Sequence, residues 1–351
     1  MLRRKFGKYL ALGTGSFALA PAMVLPKGKQ AKNLKVLKPK PLSQGDRIGL
    51  IAPSSSFDEE RYERALENIK NAGFKVQEGK HLHGQKGYLA GPDKGRLEDI
   101  HHMFSNNRIK GIWCLRGGYG STRLLPDIDY KLVAQNPKVF IGYSDITALL
   151  NAFWVKTGLV GFHGPVAGSE MPDYSARYLY PLVTGEDTYP LYYNHSEENL
   201  QQGIENSEFQ LQTIRGGSCI GRLTGGNLSL LAAMVGTPWL DSFAGKIVFF
   251  EDIGEVPYRI DRMLTQLLQA TDLDKAAGIA IGVCLRCEKR EGSLSLTLNE
   301  TLRDRLEKLN IPVVYGLSFG HIKEQFTLPM GMHAQMNADS GLLTLLESPV
   351  S

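Results

Sequence analysis

The sequence predicts an α/β fold: an N-terminal, doubly wound and mostly parallel sheet domain, followed by a second, smaller α/β domain with short C-terminal strands. Apolar, β-branched runs alternate with segments whose apolar residues recur at helical spacing. Alternation of this kind is typical of parallel sheets covered by helices. The chain has 351 residues, 42% of them hydrophobic and 22% charged, which suits a soluble protein with two cores.

The first half of the chain carries the alternation most regularly. A strand is predicted at 47–52, where an apolar run ends in the polar turn at 53–56. A helix is predicted at 58–72 because its apolar residues fall on one face. The same reasoning gives strands at 74–76, 110–115, 138–142 and 159–162, and helices at 94–104 and 146–153.

The second half repeats the pattern after an irregular interval. Residues 169–215 are rich in tyrosine and polar side chains and are predicted as a linker. The linker separates an N-terminal domain at 44–168 from a C-terminal domain at 216–351. The C-terminal elements are strands at 246–250, 278–284 and 312–315, helices at 228–234, 258–270 and 296–309, and short tail strands at 325–328, 332–336 and 342–346.

The N-terminus has the pattern of a targeting segment. Residues 1–22 combine the twin arginine Arg3-Arg4 with a mild apolar run and small-residue cleavage candidates, a pattern that resembles a twin-arginine export signal. Residues 23–43 are predicted as a basic tether. We therefore expect an exported, periplasmic protein; the alternative is a cytoplasmic protein with an uncleaved N-terminus. No other run approaches the length of a membrane span, so no stable membrane insertion is expected after signal removal.

Charge and cysteine content exclude several classes of function. Four of the 40 basic residues lie in 1–22, so the rest of the chain balances its 36 acidic residues and gives no electrostatic case for nucleic acid. The four cysteines form no disulfide framework, and Cys284 and Cys287 lack the second pair that a zinc site needs. The glycine-rich turn at 116–120 does not match the dinucleotide fingerprint. We expect neither a metal nor a cofactor.

The stretch 138–150 carries the strongest indication of chemistry. Its first half is a predicted strand, its second half begins a helix, and Ser144 lies on the turn between them. Such a serine projects its hydroxyl from the end of the sheet, beside helix N–H groups that can face an oxyanion. Gly142 would let a neighbouring strand pack close, although Ile146 stands where a nucleophile elbow has its second glycine. The alternative is that Ser144 only caps the helix.

Two further residues would complete a serine–histidine–carboxylate set. Glu251 directly follows the apolar strand at 246–250, and His321 lies in a loop between glycine-bearing turns. Such a set provides a nucleophile, its base and the group that orients the base. The alternatives are that Glu251 pairs with Arg259 or Arg262, and that His321 is an ordinary loop histidine.

Six ordered segments share the pattern of a known family. They are Ile48-Gly49-Leu50-Ile51-Ala52-Pro53-Ser54, Arg116-Gly117-Gly118-Tyr119-Gly120, Ile141-Gly142-Tyr143-Ser144-Asp145, Gly225-Gly226-Asn227-Leu228, Phe250-Glu251-Asp252, and Gly320-His321 with Leu328-Pro329-Met330-Gly331. Over about 42–346 the chain resembles the serine LD-carboxypeptidases, which include muramoyltetrapeptide carboxypeptidases and microcin-immunity peptidases. The resemblance implies that Ser144 is the nucleophile of a triad with Glu251 and His321. It also implies that the backbone N–H groups of Gly117 and Asp145 stabilise the oxyanion.

The resemblance further implies a substrate. The family cuts the murein tetrapeptide stem between its third residue and the terminal D-alanine, in peptidoglycan turnover or recycling, and is often dimeric. Arg116 is a candidate for holding the free carboxylate of the substrate, or alternatively a structural partner for an acid. Two other functions stay open. One is a microcin-immunity-type amidase acting on aminoacyl or peptidyl adenylate analogues, and the other is a non-catalytic exported protein whose lobes clasp a ligand.

Overall fold

The computed structural model describes residues 35–351. The predicted export signal and residues 23–34 of the predicted tether lie outside this range. The described end of the tether packs against the rest of the chain: Leu37 forms a parallel bridge with Leu159, and the N–H of the buried Leu42 donates to the carbonyl of Val183 at 2.8 Å. No helix within 35–351 is long and apolar enough to cross a membrane.

Strands and helices alternate along the described chain. The strands are β1 Arg47–Ile51, β2 Lys75–Glu78, β3 Ile109–Cys114, β4 Val139–Gly142, β5 Phe162–His163, β6 Leu191–Tyr193, β7 Gln212–Arg215, β8 Ser218–Asn227, β9 Lys246–Glu251, β10 Gly278–Val283, β11 Val313–Gly320, β12 Leu328–Pro329, β13 His333–Asn337 and β14 Leu342–Leu345. The helices are α1 Glu59–Asn71, α2 Asp93–Ser105, α3 Tyr130–Gln135, α4 Thr147–Thr157, α5 Asp173–Arg177, α6 Tyr180–Thr184, α7 Glu197–Glu205, α8 Leu228–Ala233, α9 Pro257–Ala270 and α10 Leu298–Leu306. Short 3₁₀ turns cover Ser121–Asp127, Ser144–Ile146, Ser207–Phe209 and Leu273–Lys275.

The first sheet has the strand order β12-β5-β4-β3-β1-β2, and all of its pairs are parallel except β12 with β5. Its central strands are buried, since parallel sheets are covered on both faces. The second sheet has the order β6-β14-β13-β8-β9-β10-β11-β7, with a parallel centre from β8 to β11 and antiparallel flanks. The predicted α/β class with two sheets is confirmed. The sequence predicts a smaller second domain, but the second sheet has eight strands and the first has six.

The interval predicted as a linker is largely structured. Residues 169–215 contain α5, α6 and α7, and they also supply β6 and β7, the two edge strands of the second sheet. The prediction failed here because these elements are three to nine residues long, too short for a recognisable periodic pattern.

Helix α4 joins the two sheets. Every residue of α4 is buried except Val155 and Lys156, so the helix is covered on nearly all sides. Thr147, at the start of α4, accepts a hydrogen bond from the N–H of Asn227 through its Oγ1 at 2.9 Å. One turn later, Asn151 Nδ2 donates to the carbonyl of Gly225 at 2.9 Å. The helix that follows Ser144 is therefore bonded to the end of β8.

The chain also crosses between the sheets near its C-terminus. Strand β11 belongs to the second sheet and ends at Gly320, whereas β12 is paired with β5 in the first sheet. His321 lies on the segment between them, and this places it where the two sheets meet.

Candidate active site

Ser144 occupies a sharp turn at the carboxyl end of β4. Its φ angle is 61°, one of only two positive values among non-glycine residues of the described chain. A side chain in this region costs of order 1 kcal/mol and is found where the surrounding structure enforces it. The expectation for Gly142 is corrected: a Cβ there would lie 2.7 Å from Cγ2 of Ile146, so Gly142 makes room for Ile146 rather than for a neighbouring strand.

The structure does not support the capping alternative for Ser144. Ser144 is the first residue of a 3₁₀ turn that precedes α4, and no side-chain capping bond is formed at the start of that turn or of α4. Its hydroxyl instead borders an open cleft of about 650 Å³.

His321 and Glu251 form a hydrogen-bonded pair. Nδ1 of His321 lies 2.6 Å from Oε2 of Glu251, whose carboxylate is 0% exposed at the end of β9. Gly320 permits this contact: its φ is 120°, and a Cβ there would lie 3.2 Å from Oε2 of Glu251. The predicted alternative partners of Glu251 are not used, and Arg259 pairs with Glu255 instead.

The pair shifts both pKa values. Burial acts to raise the pKa of Glu251, but the charge and hydrogen bond of His321 outweigh it and hold that pKa below its ordinary value. Burial acts to lower the pKa of His321, but Glu251 outweighs it and raises that pKa above 6.5. The geometry fixes Nδ1 as the nitrogen facing the carboxylate, which leaves Nε2 for a reacting group.

The cleft brings the three predicted side chains together. Ser144 and His321 both line it, and Glu251 lies behind His321. Within residues 35–351, Ser144 forms no hydrogen bond with His321; such bonds are often long in sites without substrate. The ring of Tyr143 packs against His321 in a tilted arrangement, with the two ring centroids 4.8 Å apart. The arrangement can deliver a hydroxyl nucleophile and a base oriented by a buried carboxylate.

Comparison with known proteins identifies the family of the chain. The LD-carboxypeptidase N-terminal domain matches residues 48–164, and the LD-carboxypeptidase C-terminal domain matches residues 220–336. The chain belongs to the LD-carboxypeptidase family. It is therefore a carboxypeptidase-family enzyme of the serine type, as its sequence indicates.

Three relatives illustrate the range of this family. The chain is 38% identical to a probable murein peptide carboxypeptidase of Bacillus subtilis, over 86% of this chain and 91% of that one. It is 30% identical to the microcin C7 self-immunity protein MccF of Escherichia coli, over 87% and 96%. The crystal structure of muramoyltetrapeptide carboxypeptidase from Oxalobacter formigenes superposes with a TM-score of 0.72 at 32% identity, over 87% of this chain and 100% of that one.

In this LD-carboxypeptidase the proposed oxyanion donors lie against the serine. A Cβ built on Gly117 would lie 2.8 Å from Cβ of Ser144 and 3.3 Å from the backbone nitrogen of Asp145. The Asp145 side chain is buried, and it accepts hydrogen bonds from Ser54 Oγ at 2.5 Å and from the N–H of Ser121 at 2.8 Å. These bonds fix the backbone on which the Asp145 N–H is presented.

Replacing Gly117 with alanine is expected to lower kcat by about 100-fold, because the added methyl group must displace Ser144 or the oxyanion donors. Steady-state kinetics on a murein tetrapeptide would measure the loss. Gly278→Ala is the matched control, since its Cβ would meet Cys219 Sγ at 2.6 Å in the second sheet, away from the cleft. Equal losses of kcat in the two variants would contradict a local role for Gly117.

Arg116 also lines the cleft of this LD-carboxypeptidase. It is half-buried, and its Nη1 donates to the carbonyl of Ser56 at 2.6 Å. No acid of the described chain lies within ion-pair distance of it, so the alternative of a structural acid partner is not supported. Burial and the neighbouring charge of Arg61 lower the pKa of Arg116.

Sequence reasoning missed two residues of the site. Asn227 Nδ2 lies 3.4 Å from Oε1 of Glu251 and 3.1 Å from Oδ1 of Asp252, so it binds the carboxylate of the pair from behind. Burial, together with the charge of Glu251, raises the pKa of Asp252 to about 6. The second missed residue is Arg61, which lines the cleft. Asn227 lies in a segment that carries the family resemblance, but nothing in the sequence marks Arg61.

Proposed function

We propose that the protein hydrolyses the L,D peptide bond before the terminal D-alanine of murein tetrapeptides. The observation that carries the proposal is one cleft that contains Ser144 on its strained turn and His321 bonded to the buried Glu251. The names of murein-directed relatives support the substrate class. A volume of about 650 Å³ is within the range of pockets that bind small ligands, and a short peptide is such a ligand.

The mechanism follows from the roles of the three side chains. Ser144 Oγ attacks the carbonyl carbon of the third residue while Nε2 of His321 takes the hydroxyl proton. The tetrahedral oxyanion receives hydrogen bonds from the N–H groups of Gly117 and Asp145. His321 then gives its proton to the amine of D-alanine, which leaves. A water molecule, deprotonated by His321, cleaves the ester and restores Ser144.

Glu251 acts through His321. Its carboxylate holds the imidazole with Nδ1–H toward Oε2, and it stabilises the imidazolium that forms after the proton transfer. Because Glu251 is 0% exposed, its charge is little screened by solvent and acts strongly on His321.

The direct test is the release of D-alanine from a purified tetrapeptide, L-Ala-γ-D-Glu-meso-diaminopimelate-D-Ala, followed by mass spectrometry. The matched control is the same peptide with a terminal L-alanine. We expect D-alanine from the first peptide and no release from the second. Absence of turnover on the tetrapeptide by a folded protein would refute the proposal.

A second function is favoured by the similarity to MccF. Aminoacyl sulfamoyl adenosines would be its substrates, and they can be offered to the same preparation in competition with the tetrapeptide. Turnover of the adenosine compound alone would replace the murein proposal with the amidase. Family membership favours both enzymes over a non-catalytic ligand-binding protein.

We also propose that the protein is exported to the periplasm and forms a homodimer. The twin arginine and apolar run within residues 1–22 support export, and the resemblance to the family supports the dimer. Cell fractionation with and without Arg3→Lys and Arg4→Lys, and light scattering of the purified chain, would measure the two properties.

A further inference from the structure

The cleft beside Ser144 has an excess of positive charge. Four basic side chains line it and one acidic side chain, Glu170, does so. Two of the basic residues are already paired: Arg64 with Glu60 at 2.5 Å, and Lys323 with Glu198 at 3.6 Å. The other two are Arg61 and Arg116, and neither lies within ion-pair distance of any acid in the described chain.

Arg61 differs from Arg116 in having a free guanidinium. Within residues 35–351 its side chain donates no hydrogen bond, and only its backbone N–H is engaged, as a donor to the capping carboxylate of Asp58 at 2.8 Å. Arg116 is partly held by the carbonyl of Ser56. Two neighbouring guanidinium groups repel each other, and an anion between them would relieve that repulsion.

The stem of Arg61 lies beside Gly168 in the wall of the cleft. A Cβ on Gly168 would come within 2.3 Å of Cγ of Arg61. The N–H of Gly168 donates to the carbonyl of Leu115 at 3.0 Å, two residues before Gly117. Tyr143, the residue before Ser144, lines the same cleft as Arg61. Arg61 therefore stands on the side of the cleft where the oxyanion donors are.

We propose that Arg61 binds the C-terminal carboxylate of the substrate and so restricts cleavage to the last residue of a peptide, with Arg116 as the second cation of this subsite. The inference rests on the proposed function. Arginine suits the task because its planar fork can form two parallel hydrogen bonds with one carboxylate. An amide or an extended chain at the same place would bring no negative charge to the two guanidinium groups.

The test compares two tetrapeptides that differ only in a terminal carboxylate or carboxamide. Their dissociation constants are measured by calorimetry in Ser144→Ala, which keeps the peptides intact, and in the same protein carrying Arg61→Gln, Arg61→Lys or Arg64→Gln. We expect the acid to bind at least about tenfold more tightly than the amide in Ser144→Ala. Arg61→Gln should reduce that preference to about twofold, Arg61→Lys should keep part of it, and Arg64→Gln should leave it unchanged.

Several results would overturn the inference. One is an acid-to-amide ratio that Arg61→Gln leaves unchanged; another is an equal fall of the ratio in Arg64→Gln. A weaker binding of both peptides in Arg61→Gln, with the ratio preserved, would show a general rather than a carboxylate-specific contact. Failure of the proposed function can be distinguished from failure of this inference, because the wild-type protein would then release no D-alanine from the tetrapeptide. Circular dichroism of each variant confirms that the comparisons are made on folded protein.

Discussion

Replacing Ser144 with alanine is expected to reduce D-alanine release by about 10⁴- to 10⁶-fold. The variant lacks the hydroxyl that the turn after β4 presents to the cleft lined by His321. The oxyanion donors and the carboxylate subsite are kept, so the variant should still bind substrate. Single-turnover kinetics with quantified D-alanine would measure the loss, and a loss of less than tenfold would exclude Ser144 as the nucleophile.

Ser144→Gly provides the companion measurement. Its activity should fall as far as that of the alanine variant, but glycine adopts a φ of 61° without steric cost. We therefore expect the glycine variant to be more stable than the alanine variant by about 1 kcal/mol in denaturant unfolding. Equal stabilities would show that the turn at Ser144 stores no strain.

Replacing Glu251 with glutamine is expected to lower kcat/KM by about 10³- to 10⁴-fold and to move its pH dependence. In the wild-type protein His321 must be neutral to act as base, and its raised pKa makes kcat/KM fall as the pH drops through a value above 6.5. Without the carboxylate, burial remains as the main influence and lowers the pKa of His321. The acidic limb of the residual activity should therefore shift to lower pH.

Asp252→Asn is the matched control for this prediction. Asp252 is a buried neighbouring carboxylate, but it accepts hydrogen bonds from the N–H and Oγ of Ser229 rather than from His321. Its replacement should cost less than about tenfold in kcat/KM and should leave most of the acidic limb in place. An equal shift of the limb in the two variants would mean that Glu251 affects His321 only as one of several distant charges.

The parts that could be predicted from the sequence are those with an uninterrupted pattern. The strands of the first sheet and the turn at Ser144 follow directly from apolar runs and their ends. Strand β8 escaped prediction because Gly221, Gly225 and Gly226 interrupt its apolar pattern. The structure explains two of these glycines: a Cβ on Gly225 would lie 1.8 Å from the carbonyl of Phe249, and one on Gly226 would lie 2.4 Å from Cγ2 of Thr147.

Long-range proximity could not be predicted from local patterns. The residues alone make Glu251 and His321 candidates for the carboxylate and the base. Only the family resemblance assigns them these roles, because no local signal records which strands are neighbours. Arg61 was missed for a different reason. It lies in the first turn of α1 among Glu59, Glu60 and Glu63, where a charged residue is the normal occupant of a solvated helix face.

The crossing of β12 into the first sheet limits how the two halves can move. A binding protein whose two domains close around a ligand needs a flexible hinge between them. Here β12, which follows β11 of the second sheet, pairs with β5 and so ties the second half of the chain to the first sheet. The segment that bears His321 is anchored at both ends, so rotation of one lobe would pull the imidazole away from Glu251. We therefore expect the cleft to stay open during the reaction, so that no domain motion limits the rate of turnover.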